Sequence, residues 1–277
     1  MNEFPRTMVG GVSLPRLIAG TNWFLGYSHT SLAKDRFIKD LQTRERIARI
    51  LAVFLQNGVD AVMAPPSALL EEAILDAEDQ TGRKMIRILT PIFNVTPGGK
   101  PEQEPEVMMD LCKKLNATFC MPHQAVTDAL VDRTVGKIRD IDRYTRMIRE
   151  RGMIPGLSTH MPESVVYADK TGADVETYIQ IYNAAGFLMQ VEADWVQRII
   201  TNAKKPVMTI KPLAAGRLLP IVGLAFVWST IRPQDMVTIG TTTPDEAREV
   251  IDLSLNLLEH KMPELELQKT RSKTSLQ

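Results

Sequence analysis

Three side chains with nitrogen chemistry stand at the ends of apolar runs: His123 after ATFCMP, His160 after MIPGLST and Lys211 after PVMTI. Two imidazoles over one mouth can work as general acid and base, or as two ligands of a metal. No third ligand is evident, so no metal site is expected. A lysine so placed pairs with an anionic ligand, or forms a Schiff base if desolvation lowers its pKa. The plainer alternatives are histidines that cap strand ends and a lysine held in a structural salt bridge.

A second group surrounds these three. The segment GTTTPDEA carries Gly240, Thr241 and Thr242 before a T-P-x-E capping box with proline at the first helical position, which marks a helix start. Free amides at such a start, beside Ala215, Gly216 and Arg217, make a place where an anion can sit. The capping box also explains the threonines without any ligand. Asn22 and Trp23, in a loop with Tyr27 and His29, are candidates to wall a pocket, and Ser158, Thr159, Gln180 and Asn183 complete the ligand-binding candidates.

The elements that must position these residues follow one grammar. A Gly10-Gly11 pair between two short apolar runs predicts a hairpin over residues 6–15. Strands are then expected at 16–20, 61–64, 86–93, 118–121, 153–160, 178–182, 207–210 and 236–239. Helices are expected at 43–57, 68–79, 107–115, 136–151, 164–171, 193–202, 218–230 and 244–259. The stretch 21–31 reads as a loop, and the Arg- and Asp-rich face of 136–151 as a solvated surface. Eight strand-helix units in alternation, without a linker, specify an α/β protein built as a single (β/α)8 TIM barrel with a short N-terminal β-hairpin. The barrel is assigned to residues 1–262 and a charged, frayed tail to 263–277.

Composition narrows the partners. Lys+Arg and Asp+Glu are both 33, and this zero net charge argues against nucleic acid or an anionic membrane as the main partner. A small-molecule ligand fits better, and a homo-oligomer is compatible with the same composition. Two cysteines, Cys112 and Cys120, make neither a disulfide framework nor a CxxC metal motif, so a reducing cytoplasm is the expected location. The N-terminus has no signal-peptide pattern, and the longest apolar stretch, 218–228, is too short to span a bilayer.

In their order and spacing these segments resemble the aldo-keto reductases over nearly the whole chain. The likeness is carried by the N-terminal hairpin, GVDAVMAPPSALLEEAI, PHQAVTD, GLSTHMPE, KPLAAGRL and IGTTTPDEAREVI. It implies a nicotinamide pocket that includes Ser158, Gln180 and Thr159, the last in place of an asparagine. It also implies a catalytic Asp, Tyr, Lys and His. Here the Asp position falls on Met63 or Ala64, the Tyr position on Ser67 or Ala68 and the Lys position on Pro91, so only His123 matches. The ring-stacking aromatic becomes Ile210, Lys211 replaces a serine, and Glu246 stands where an arginine would bind a 2′-phosphate. The cofactor is therefore unassigned: NAD stays a candidate and NADP is disfavoured. The leading expectation is an enzyme, or former enzyme, acting on a small anionic metabolite without the standard carbonyl-reductase mechanism. An NAD(P)-linked oxidoreductase with His123 as proton donor and a non-catalytic ligand sensor or scaffold are the alternatives.

Overall fold

The computed structural model describes residues 3–261, so the tail assigned to 263–277 lies outside the described residues. The chain begins with a hairpin, β1 (Arg6–Val9) and β2 (Val12–Pro15), turned by Gly10 and Gly11 at φ 54° and 83°. Val9 and Leu14 of the hairpin join Ile18, Met63, Ile88, Phe119, Ile179, Met208 and Met236 in one apolar cluster. The hairpin thereby plugs the floor of a barrel whose interior is filled by side chains.

The barrel strands are β3 (Leu17–Gly20), β4 (Ala61–Ala64), β5 (Ile86–Leu89), β6 (Ala117–Cys120), β9 (Ile154–Pro155), β10 (Leu157–Thr159), β11 (Tyr178–Ile181), β12 (Val207–Ile210) and β13 (Met236–Gly240). All pair in parallel, in the order β10-β11-β12-β13-β3-β4-β5-β6-β9. Because β9 and β10 are two halves of one strand across Gly156, the ladder closes on itself and the barrel has eight strands. A Cβ at Gly156 would lie 2.6 Å from Met121 Cε and 2.9 Å from the Thr177 carbonyl oxygen. Only glycine lets the neighbouring segments approach this closely at the closure.

Strand pleating sorts the side chains. Ile18, Met63, Ile88, Ile179 and Met208 face the barrel interior, while Leu17, Val62, Leu89, Tyr178 and Val207 face the helices. The helices are α1 (Asn22–Leu25), α2 (Leu32–Leu41), α3 (Arg44–Gln56), α4 (Ala68–Thr81), α5 (Pro105–Lys114), α6 (Gln124–Leu130), α7 (Ile141–Glu150), α8 (Glu163–Thr171), α9 (Ala193–Asn202), α10 (Pro220–Thr230) and α11 (Pro244–Leu258). Thr243 caps α11 through its hydroxyl, as the T-P-x-E capping box leads one to expect, and Ser67 caps α4 in the same way. Buried Arg87 ties β5 to α4, with Nη2 2.7 Å from Glu71 Oε1 and Nη1 2.8 Å from Glu78 Oε1.

Three expectations about elements change. The helix expected over 136–151 starts only at Ile141, because Gly136 and Asp140 are left-handed at φ 65° and 54°. Lys137–Ile138 (β8) instead pair antiparallel with Val131–Asp132 (β7). The strand expected over 86–93 ends at Leu89, before Pro91. The stretch 22–41, read as loop at its start, forms α1 and α2. In α2 only Ile38 is buried while Leu32 and Phe37 are exposed, so no apolar stripe announced it. Among the described residues, no helix is long and apolar enough to cross a membrane.

Candidate functional site

A cavity of about 830 Å³ opens over the C-terminal ends of the strands. His123, Ser158, His160 and Lys211 line it, with Asn22 and Trp23 from α1. Arg217, Gly240, Thr241 and Thr242 enter from the loops after β12 and β13. Residues far apart in sequence meet here because parallel strands all deliver their ends to one face.

His123 has two tasks. As the N-cap of α6 it accepts the Ala125 backbone N–H at Nδ1, at 3.2 Å. The neutral ring therefore carries its proton on Nε2 and is a hydrogen-bond donor there. Burial first, then the Lys211 charge, hold its pKa below the ordinary value and keep the ring neutral.

His160 is more strongly perturbed. Burial, then Lys211, His123 and His29, push its pKa down to about 3. Its backbone N–H donates to Asp128 Oδ2 at 3.1 Å, and Thr159 Oγ1 donates to Asp128 Oδ1 at 2.5 Å. The half-buried Asp128 of α6 thus anchors the end of β10, and burial raises its own pKa.

Lys211 sits in the left-handed region at φ 61°, followed by Ala214 and Ala215 at 49° and 56°. Such a backbone costs on the order of 1–3 kcal/mol per residue and persists only where surrounding structure imposes it. Burial pushes the Lys211 amine down to about 8. Among the described residues it makes no salt bridge and no hydrogen bond through its amine, so the structural ion pair weighed as the plainer reading is not formed with them.

His29 was seen in its loop but not counted among the site residues, although it lines the cavity. Its Nε2 lies 3.1 Å from Asn22 Nδ2; with the amide donating, its ring proton is on Nδ1. Burial, Lys211 and Arg217 lower its pKa against the opposing pull of Asp35. Its place with Asn22, Trp23 and Tyr27 in the loop after the first barrel strand was the sequence signal for it. Despite three imidazoles at one mouth, no group of three or more His, Cys, Asp or Glu among the described residues is placed to hold a metal ion.

The walls are equally specific. A Cβ at Gly240 would lie 2.8 Å from Trp23 Cδ1, so glycine there lets the indole lie across the strand end. The Arg217 guanidinium stacks 4.0 Å from the centre of the Phe187 ring and donates from Nη1 to the Ala214 carbonyl at 3.0 Å.

Three of the sequence candidates do not line the cavity. Thr159 spends its hydroxyl on Asp128. Gln180 lies between Tyr178 and Tyr182, both on the helix-facing side of β11, whereas Ile179 faces the interior. Its Nε2 donates to the Ile181 carbonyl at 3.3 Å, and its buried Oε1 has no partner. Asn183 is buried and staples the following turn, donating to the Phe187 carbonyl at 3.1 Å and accepting the Phe187 N–H at 2.9 Å.

These positions decide how a nicotinamide dinucleotide fits. Of the carboxamide-binding set implied by the resemblance, only Ser158 is on the cavity wall. At the start of α11, Glu246 Oε2 accepts from both the backbone N–H and the hydroxyl of Thr242. A carboxylate thus occupies both donors of Thr242 and places negative charge where the resemblance implies a 2′-phosphate. The residues present do not make the nicotinamide site that the fold would suggest.

Barrel, plug hairpin and cavity together define a TIM-barrel protein with the aldo-keto reductase fold. A Pseudomonas aeruginosa protein assigned to the aldo-keto reductases matches with a TM-score of 0.64 at 15% identity, over 93% of this chain and 99% of that one. An aldo-keto reductase from Brucella melitensis matches with a TM-score of 0.57 at 12% identity, over 94% and 98%. One from Klebsiella pneumoniae, in complex with NADPH, matches with a TM-score of 0.56 at 16% identity, over 97% and 94%. At such identities the likeness is one of fold. Neither a protein-family model nor a curated protein matches the sequence.

Proposed function

We propose that this barrel binds a small anionic metabolite at its C-terminal mouth and acts on it without the tyrosine-based hydride chemistry of carbonyl reduction. The observation that carries this reading is Lys211, a partly buried ammonium with no carboxylate partner among the described residues, facing a cavity with three imidazoles. Leaving such a charge unpaired is costly, and an anionic ligand offsets that cost.

With an amine pKa of about 8, Lys211 is mostly a cation at neutral pH. The neutral His123 offers an Nε2–H donor to a carbonyl or phosphoryl oxygen. His160, also neutral, accepts or relays a proton. Arg217 adds a second cation at the rim. The positions of Met63, Ser67 and Pro91 supply no Asp, Tyr or Lys for proton donation to a hydride-receiving carbonyl.

Thermal shift with a panel of small carboxylates and phosphates tests the reading. A ligand at 100 times its Kd stabilises by about 2.7 kcal/mol, which raises Tm measurably. The expected result is a saturable rise for anions, none for neutral isosteres, and loss of the rise in Lys211→Met. Equal stabilisation by neutral isosteres would remove the proposal.

A further inference from the structure

Three observations at Lys211 converge on covalent chemistry. The amine makes no ion pair among the described residues, so nothing there must be broken to free it as a nucleophile. The left-handed turns at Lys211, Ala214 and Ala215 mark a backbone imposed by its surroundings at the point where the side chain meets the cavity. Neutral imidazoles line the same cavity from two separate strand ends, His123 after β6 and His160 after β10, each near enough for the Lys211 charge to act on it.

We propose that Lys211 forms an imine with the carbonyl carbon of a small aldehyde or ketone that also carries a carboxylate or phosphate. This rests on the anion-binding reading and names the substrate class for it. The unprotonated Nζ adds to the carbonyl carbon; a C–N bond forms, the C=O π bond breaks, and the developing oxyanion accepts a hydrogen bond from the His123 Nε2–H while one proton passes from the new ammonium nitrogen to that oxygen, giving a neutral carbinolamine. Its hydroxyl takes one further proton, drawn from solvent and relayed through His160, and leaves as water while the nitrogen lone pair closes the C=N bond. In sum, amine, carbonyl and one proton give a protonated imine and one water, with no electrons exchanged. The protonated imine keeps the positive charge of the lysine, so the anionic group keeps its counter-ion. Its electron demand labilises bonds at the neighbouring carbon, the chemistry of aldol cleavage and α-proton exchange. Burial of the amine lowers its pKa to about 8, which puts a usable fraction in the nucleophilic form at neutral pH.

The titratable and charged groups that share the cavity with the amine come from several elements. His29 lies between α1 and α2, His123 and His160 stand at the strand ends, and Arg217 follows β12. Lys34 of α2 and the carboxylates Glu246 and Glu249 of α11 complete the wall, Glu246 being bound to Thr242.

Reductive trapping of the full chain is the test. Pyruvate and glyceraldehyde 3-phosphate serve as anionic probes and acetone as the neutral one, with cyanoborohydride, intact mass and peptide mapping as the readout. The expected result is one adduct, on the peptide containing Lys211, formed with the anionic probes and much less with acetone. The trapping rate should rise with pH with a midpoint near pH 8 and level off above it. Lys211→Arg, which keeps the cation, should lose the adduct while retaining stabilisation by anions. Adducts scattered over surface lysines, or an adduct that survives in Lys211→Arg, would overturn the proposal. Stabilisation of the wild type by anions without any adduct overturns the imine and leaves the anion-binding reading standing; absence of both overturns the two together.

Discussion

Glu246 Oε2 accepts two hydrogen bonds from Thr242, from its backbone N–H at 2.6 Å and its hydroxyl at 2.7 Å. Both donors of Thr242, just before α11, are therefore engaged by the chain's own carboxylate, whose charge also repels an incoming phosphate. Glu246→Gln keeps an acceptor for Thr242 and removes the charge. We expect millimolar NADP to shift the wild-type Tm little. NADP affinity in the variant should rise roughly two- to fivefold, the size of a charge effect at a helix N-terminus. Identical NADP titrations for both proteins would show that Glu246 does not guard the site.

His123 separates structural from chemical function by substitution. His123→Ala removes the cap of α6 and should cost about 0.5–2 kcal/mol in urea unfolding. In His123→Asn the amide oxygen can accept the same amide, so stability should return close to wild type. Both variants lose the imidazole donor and should bind or turn over the anionic ligand more weakly. If Asn restores ligand affinity along with stability, the imidazole is a cap and nothing more.

The lowered pKa values set the pH dependence of stability. His160 falls to about 3 in the folded chain, against an unfolded value of about 6.5, so between these the unfolded chain binds more protons. Stability is complete above that unfolded value and declines as pH drops towards 3. Lys211 falls to about 8, against about 10.4 unfolded, so stability rises with pH across that window. Urea midpoints measured against pH should show a shallower acid limb in His160→Asn and no alkaline rise in Lys211→Met. Unchanged curves in both variants would contradict the assigned protonation states.

Arg87 is 6% exposed and holds Glu71 and the 4%-exposed Glu78. Burial works to raise the Glu78 carboxyl, yet Lys84, the Met85 N–H and Arg87 outweigh it and its pKa is lowered. Arg87→Met strands these carboxylates and should cost about 3–5 kcal/mol at neutral pH. Adding Glu78→Gln should recover part of that loss. A single-variant cost below about 1 kcal/mol, the value of an exposed pair, would mean that water reaches the network.

At the barrel closure, Gly156→Ala forces a methyl against Met121 Cε and the Thr177 carbonyl. The expected cost is about 1–3 kcal/mol by chemical denaturation. Met121→Ala in the same chain relieves only the side-chain half of the clash, because the Thr177 contact is backbone. Full rescue by that second change would place the strain elsewhere.

What the sequence by itself determined about this protein is its periodic and local content. Apolar runs of strand length alternating with helical stripes specified the barrel. Gly10-Gly11 specified the hairpin, and Thr243-Pro244 specified a helix start. These signals act within a few residues, through dihedral preference, capping and burial of one face, so they can be read without knowing what lies opposite. Only the tertiary structure decided which chemistry meets. Pleating turned Gln180 away from the cavity while Ser158 lines it, Asp128 of α6 claimed the Thr159 hydroxyl, and His29 came to face the same cavity as His123 and His160. The charge state of Lys211 and the imidazoles was likewise decided there, because desolvation and neighbouring charge depend on distances between segments that no local pattern encodes.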